Sequence, residues 1–377
     1  MTVAAANSNR LLRYEPSLDG IRGIAVLLVM AGHLRLLRFG GWGVDIFFVL
    51  SGYLITAILT KEFFATGAIR LGRFYARRAL RLLPALLLLL VVLNVRVTLF
   101  DSRVQVEFTR WNSLGALFYL TNWLRVAHHD CGAVAHLWSL AVEEHFYLVW
   151  PPILALLLRR KLRPRQIAAI LGFLVLVVIV TRLAIYSGPW SGAIYNRIYN
   201  GSDTHSDGLL IGSALALTGC AALSPRLRVL TGVVGSAVLV CFIRYGFPKR
   251  FVFTIGFTVF ALGAAGLLAA TVADRRSRLS RCLRLPPLPW IGRLSYSLYL
   301  WHYPVFAFAP TWYPALAKSE WLRVGVTCFC AMVSYYLIER PFLRLKRRFD
   351  APRNVDVAGD DAKRSDALAA RPEFTAG

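Results

Sequence analysis

Acidic residues are scarce in this chain. Asp and Glu total 20 of 377 residues, against 44 Lys and Arg, and charge of either sign reaches only 17%. A soluble domain normally carries about 25% charge, so an ordinary water-soluble globule is a poor description. Metal-ligand spacing is missing as well. Cys131, Cys220, Cys241, Cys282, Cys328 and Cys330 form no CxxC or comparable pattern, and most lie in or beside apolar segments. Neither a zinc site, or any other metal, nor a disulfide framework is therefore expected. The first apolar segment lacks a convincing cleavage site and reads as an uncleaved span rather than a signal peptide. No internal repeat relates one half of the chain to the other, and no room for a second folded domain is expected after the last apolar segment.

What is abundant is apolar. Hydrophobic residues make up 57% of the chain, with a mean hydropathy of +0.54. They cluster: LRLLPALLLLLVVLNVRVTLF, AAILGFLVLVVIVTRLAIY and FVFTIGFTVFALGAAGLLAATVA are each long enough to cross a bilayer core of about 30 Å. The pattern predicts an all-α, polytopic membrane helical bundle of about ten spans. These run near 21–38, 42–60, 79–100, 136–158, 166–186, 207–223, 227–246, 251–273, 290–310 and 321–340. WNSLGALFYLTNWL at 111–124 is too short to span, and its Trp and Tyr suit a membrane-surface or re-entrant helix.

The net charge of +24 would point to nucleic acid in a soluble protein. In a membrane protein it reads instead as basic loops that hold the helices in orientation, with no nucleic-acid partner. Arg10 and Arg13 precede the first span, and Arg70, Arg73, Arg77, Arg78 and Arg81 lie between or just inside the second and third. RRKLRPR follows the fourth, and Arg275, Arg276, Arg278, Arg281 and Arg284 follow the eighth. The intervening loops are balanced, with Arg103, Arg110 and Arg125 against Asp101, Glu107 and Asp130. Lys249 and Arg250 dissent. The positive-inside rule then puts both termini in the cytoplasm. The expected organisation is a cytoplasmic segment at 1–14, a membrane domain at 15–345 and a disordered cytoplasmic tail at 346–377, where the composition turns polar.

Several ionisable groups interrupt this apolar background. Arg22 and His33 are eleven positions apart, which on a helix is about 16 Å and three turns plus about 20°. Both side chains then project from one face, Arg22 near the cytoplasmic mouth and His33 deeper. Asp45 interrupts the second span, Glu143 and Glu144 the fourth, and His302 the ninth. A polar side chain in hydrocarbon costs free energy unless it is paired or used, so such groups are functional candidates by default. Each also has a plainer reading. His33 could be a hydrogen-bonded packing residue and Arg77, Arg78 and Arg81 topology markers. Glu143 reads equally as a buried partner for an arginine or as a group orienting His33. Asp45 and His302 read as core polar contacts rather than reactants. A proton-coupled transporter would also place His, Asp and Glu within spans, but it predicts matching broken helices in two halves, which the chain does not display.

At this point a resemblance enters. LDGIRGIAVLLVMAGHL resembles the opening of the acyltransferase-3 family of integral membrane acyltransferases, whose signature is a basic residue, ten positions, then histidine; Arg22 and His33 match it. GVDIFFVLSGYLIT, FYARRALRLLP, LWSLAVEEHFYLVWP, SYSLYLWHYPV and ERPF follow in family order, so that the likeness covers about residues 15–345. It implies transfer of an acyl group, acetyl by default, from cytoplasmic acyl-CoA (acetyl-CoA) to a hydroxyl on a polysaccharide, glycolipid or small molecule in a bacterial cytoplasmic membrane. Acyl-CoA would be a co-substrate, with no permanently bound cofactor. The resemblance implies a catalytic His33, and Arg78 and Arg81 as the Arg-x-x-Arg pair of the donor side. The chemistry agrees: an alcohol attacking a thioester needs a base, and a developing oxyanion needs donors or positive charge. Arg22 and Glu143 would assist His33. Arg77 would join Arg78 and Arg81 on phosphates, and Asp45, Glu144, Asp207 and His302 would be supporting polar groups. The chain departs from the family pattern at His145, where Gln is common, and at His205-Ser206-Asp207, where Arg-x-Asp is common.

The charge alternation generates the first prediction. Reporter fusions after Pro164 and after Gly188 should report opposite sides of the membrane, Pro164 in the cytoplasm; equal signals would refute the orientation.

Overall fold

The computed structural model describes residues 14–37, 41–220 and 224–346. Arg10, Arg13 and all but the innermost residue of the expected terminal segments 1–14 and 346–377 lie outside the described residues. Among the described residues every regular element is helical. In chain order these are α1 (Pro16–His33), α2 (Trp42–Thr66), α3 (Leu71–Phe100), α4 (Arg103–Leu117) and α5 (Thr121–Val126). A turn of 3-10 helix, Gly132–Leu137, leads into α6 (Trp138–Arg159), followed by α7 (Pro164–Ile185), α8 (Gly192–Asn200), α9 (Asp207–Thr218) and α10 (Pro225–Arg244). Then come α11 (Lys249–Ala273), α12 (Arg278–Leu283), α13 (Pro287–Tyr303) and α14 (Glu320–Leu345).

Local chemistry sets many of the ends. Prolines open α1, α7, α10 and α13, where the missing N–H is one the helix would leave unbonded anyway. Ser224 caps α10 by accepting from Leu227 N at 3.3 Å. Gly67, at φ 74°, ends α2.

Seven helices are long and apolar enough to cross a membrane among the described residues: α2, α3, α6 with its 3-10 turn, α7, α10, α11 and α14. Their outer faces expose Leu87, Val91 and Val95 on α3, Leu176 and Val180 on α7, and Val229 and Val233 on α10, as a lipid-facing surface requires. The protein is thus a multi-pass membrane protein. The remaining three expected spans are also helical but shorter or more polar. α1 has 18 residues and carries Asp19 and Arg22, α9 has 12 residues, and α13 has 17 before it continues as a wide turn through Pro304–Phe308.

Three boundaries move. The first span, expected at 21–38, begins at Pro16 and stops at His33, where Arg35 turns left-handed at φ 61° and Leu36 N bonds back to Ala31 O at 2.9 Å. His33 is therefore the last residue of its helix, not a mid-span residue. The third span begins at Leu71 rather than at 79, so Arg73, Arg77, Arg78 and Arg81 ride on the helix itself. The segment 111–124 is two helices, α4 and α5, separated at Tyr119 with φ 56°.

The close crossing of α1 and α13 positions the site. A Cβ on Gly292 would fall inside the radius of the Asp19 carbonyl oxygen, and one on Gly23 would fall inside that of Leu288 O. Small residues at this crossing let two backbones touch, which in lipid replaces the hydrophobic drive that water would supply. Gly292→Val should therefore force the helices apart. Overpacking costs about 1–3 kcal/mol, which lowers the melting temperature of the purified protein by about 1–4 °C at this size. Gly72→Ala, with nothing within 4 Å of its added methyl, should leave it unchanged.

Candidate functional site

Two cavities open at opposite ends of α1. The first, about 150 Å³, is lined by Arg22, Arg78, Arg81, Glu143, Tyr147 and Tyr299 among others. Arg22 stands 3.3 Å from Asp19, one helical turn away. The α3 helix presents Arg78 toward α6, where its Nε donates to Glu144 Oε1 at 2.7 Å and its Nη2 to the same oxygen at 2.5 Å. The guanidinium lies 3.2 Å above the centre of the Tyr147 ring, a cation–π contact that matters more away from water. Glu143 accepts from Ser51 Oγ at 2.8 Å, Tyr147 OH at 2.5 Å and Arg78 Nη2 at 3.3 Å. Arg78 is thus held by two carboxylates. Arg81, one turn further along α3, has no hydrogen bond or ion pair with any described residue and lines the same cavity. Its fork is free for an anion, the geometry that suits phosphate.

The second cavity, about 560 Å³, is lined by His33, Arg35, Arg125, His136, Trp138 and Tyr303 among others. His33 is exposed to it. His302 Nδ1 lies 2.6 Å from Tyr299 O; a carbonyl only accepts, so that nitrogen carries the proton and His302 Nε2 is an acceptor. His33 Nδ1 lies 3.2 Å from His302 Nε2 and 3.0 Å from Val29 O. Both neighbours accept, so the His33 proton resides on Nδ1, shared between them. The lone pair of His33 is left on Nε2, which bonds to no described residue. That is the protonation state a general base needs, assigned from the bonding network.

Val44 and Tyr299 line both cavities. Tyr299 OH donates to His136 O and accepts from Ser139 Oγ at 2.7 Å, so the wall that the two cavities share carries hydrogen-bonded hydroxyls. From Arg22 to His33 the helix rises about 16 Å, and the two side chains reach cavities on either side of this wall.

The structure groups the expected residues differently from the sequence reading. Arg22, Arg78, Arg81, Glu143 and Glu144 gather at one end, and His33 and His302 at the other. Glu143 does not bond to His33; the neighbour that orients His33 is His302, because Glu143 projects from α6 toward α3 in the other cavity. Arg77 turns to Glu62, 3.8 Å away, rather than into the arginine cavity. Asp45 and Asp207 face neither cavity. Asp45 pairs with His205 Nε2 at 3.0 Å, and Asp207 with Arg182 at 2.5 Å and Thr258 Oγ1 at 2.6 Å. These buried pairs tie α2, α7, α9 and α11 together. The departures from the family pattern fit here: His205 serves Asp45, Arg182 supplies the arginine beside Asp207, and His145 Nδ1 meets Ser202 Oγ at 2.8 Å.

Four residues of this arrangement escaped the sequence reading: Arg125, His136, Arg182 and Tyr299. Arg182 stands alone in VIVTRLAIY, a signal as strong as that of Asp45. His136 immediately precedes LWSLAVEE; it is buried and neither ring nitrogen has a hydrogen-bond partner among the described residues. Nothing local distinguishes Arg125 or Tyr299.

Comparison with known proteins gives a consistent result. The acyltransferase-3 model, described as an acyltransferase domain, matches residues 15–340. The chain is 33% identical over 357 residues to the peptidoglycan O-acetyltransferase OatA of Listeria monocytogenes, covering 87% of this chain and 56% of that protein. It is 36% identical over 351 residues to a putative peptidoglycan O-acetyltransferase, YrhL, of Bacillus subtilis, covering 87% and 55%. To the O-acetyltransferase OatA of Staphylococcus aureus it is 33% identical over 350 residues, covering 87% and 57%. The chain thus spans a little over half the length of these curated relatives. No solved structure matches it. With the opening Arg22–His33 signature, the ordered blocks and the family model all coinciding over one helical membrane domain, the chain belongs to the acyltransferase-3 family.

Proposed function

We propose that this protein is an O-acyltransferase of a bacterial cytoplasmic membrane. It moves an acyl group, acetyl in the first instance, from cytoplasmic acyl-CoA to a hydroxyl of a carbohydrate. One observation carries the reading: an arginine-lined cavity with an unpaired guanidinium and a cavity holding a histidine with a free ring nitrogen adjoin at Val44 and Tyr299. The relatives' names, peptidoglycan O-acetyltransferase among them, support a polysaccharide acceptor.

In this reading the donor's phosphates lie at the cytoplasmic mouth against Arg81, with Arg22 and Arg78 beside it. The long arm of the donor carries the thioester past Val44 and Tyr299 toward His33. The acceptor hydroxyl enters from the other side. His33 Nε2 takes the hydroxyl proton as the oxygen attacks the thioester carbon, a C–O bond forms and the C–S bond breaks. The resulting imidazolium returns the proton to the departing thiolate. His302 is a positioning residue that keeps the His33 lone pair on Nε2. Glu144 and Glu143 hold Arg78 in place, while Asp45 and Asp207 brace the helices behind the site.

His33→Gln keeps a hydrogen-bonding side chain but cannot carry a proton at neutral pH. It should lower transfer by about 10²–10⁴-fold, the usual contribution of a general base, while acyl-CoA binding measured on the purified protein survives. His302→Ala should fall between wild type and that variant, in kcat rather than in donor KM. Near wild-type transfer by His33→Gln would return His33 to a packing role.

Arg81 allows a separate test. Arg81→Ala should raise the donor KM and recover part of its rate at high acyl-CoA, and Arg81→Lys should rescue incompletely because an ammonium lacks the bidentate fork. Unchanged donor titrations for both would reduce this arginine to a topology marker.

A further inference from the structure

The His33 cavity has an electrostatic bias that transfer to a plain hydroxyl does not require. Two guanidinium groups, Arg35 and Arg125, line it, and no carboxylate does among the described residues. Arg125 is a built feature rather than a loose surface charge. Its Nε donates to Asn200 Oδ1 at 2.9 Å. Asn200 is fully buried at the end of α8, and its Nδ2 donates to Asn196 O at 3.0 Å. Asn122, three residues before Arg125, donates to Asn200 O at 3.2 Å and to Ser202 Oγ at 2.9 Å. This lattice fixes the guanidinium by one nitrogen and leaves both terminal nitrogens without a partner among the described residues, in the cavity that His33 faces.

Much of the remaining lining is aromatic. Tyr195 and Tyr199 stack at 5.2 Å, and Tyr303 stacks on His136 at 5.0 Å. Ring faces interspersed with hydroxyls suit a ligand that is itself a ring with apolar faces and a polar rim, and a few convergent charged groups fix its orientation. Two acids stand outside this lining: Glu320, which shares an adjoining pocket with Arg35 and lies 3.7 Å from Arg323, and Asp130, which accepts from Gly132 N at 2.9 Å.

We propose that Arg125, with Arg35 at the rim, binds an anionic group on the acceptor, so that the preferred acceptor is a sugar bearing a carboxylate or phosphate close to the hydroxyl that is acylated. This inference rests on the acyltransferase reading for the identity of the ligand as acceptor, but its binding step can be measured without turnover. The probes are methyl glucuronide, glucose 1-phosphate and methyl glucoside, bound to the full-length protein in lipid nanodiscs and followed by saturation-transfer NMR. A bidentate charge-assisted contact should favour an anionic sugar by about 10- to 100-fold over the neutral one, less so at high salt. Preference for the glucuronide would assign the charge to a ring carboxylate, and preference for the phosphate to a phosphate-linked sugar.

Arg125→Gln should abolish the preference and Arg125→Lys should retain part of it, whereas Arg81→Gln in the other cavity should not change it. Equal binding of all three sugars by the wild type, or a preference that survives Arg125→Gln, would overturn the proposal. His33→Gln separates the two readings. If it transfers normally, the catalytic assignment fails while the anion preference still stands or falls on Arg125→Gln. If it loses transfer and keeps the preference, both are supported.

Discussion

The contact between α1 and α13 is the constraint on which the rest of the site depends. Gly23 and Gly292 allow the two backbones to meet, and that crossing sets the register of everything further along both helices. His33 lies ten residues beyond Gly23, and His302 ten beyond Gly292. Displacing either helix by a side chain's width would separate the two imidazoles, which are now 3.2 Å apart at their facing nitrogens. The placement of the His33 proton on Nδ1 is thus a consequence of helix packing about 15 Å away along the helix axis. Close packing of small residues is well suited to this task, because lipid offers little hydrophobic drive and geometry must come from shape.

Charge inside the bundle follows a consistent logic. An ion in a low-dielectric setting is costly unless paired, and most ionisable groups within the helices have partners: Arg78 with Glu143 and Glu144, Arg182 with Asp207, Asp45 with His205. Such pairs hold helices in place but contribute no reactivity. Arg81, the terminal nitrogens of Arg125 and His33 Nε2 differ from them, since each faces a cavity without a partner among the described residues. Those are the groups that a ligand can complete, one set at each end of α1, with the hydroxyls of Ser139 and Tyr299 between them.

Much of this was legible in the chain itself. Apolar runs longer than a bilayer is thick can only be membrane helices, because no other structure satisfies their backbone in lipid. The spacing of Arg22 and His33 placed them on one helix about 16 Å apart, and intramembrane ionisable residues marked themselves by their cost. Helix ends were less legible: α1 stops at His33 because Arg35 adopts a left-handed turn, which no residue there announces. The start of α3 at Leu71 was hidden by arginines that read as a loop.

Partner choice was the part that tertiary structure alone decided. Glu143 and His33 can be assigned to one site by type yet belong to different cavities, because they ride on different helices, α6 and α1. Which neighbour a side chain meets depends on which helices cross and at what height, and these are contacts between residues far apart in sequence: Glu143 with Ser51 and Arg78, His302 with His33, Arg125 with Asn200. The sequence by itself determined the helical membrane class, the family blocks and which residues are expensive enough to matter. Only the packing decided which of them are neutralised by one another and which are left facing a cavity, because pairing is a property of distance in space and local periodicity carries no information about it.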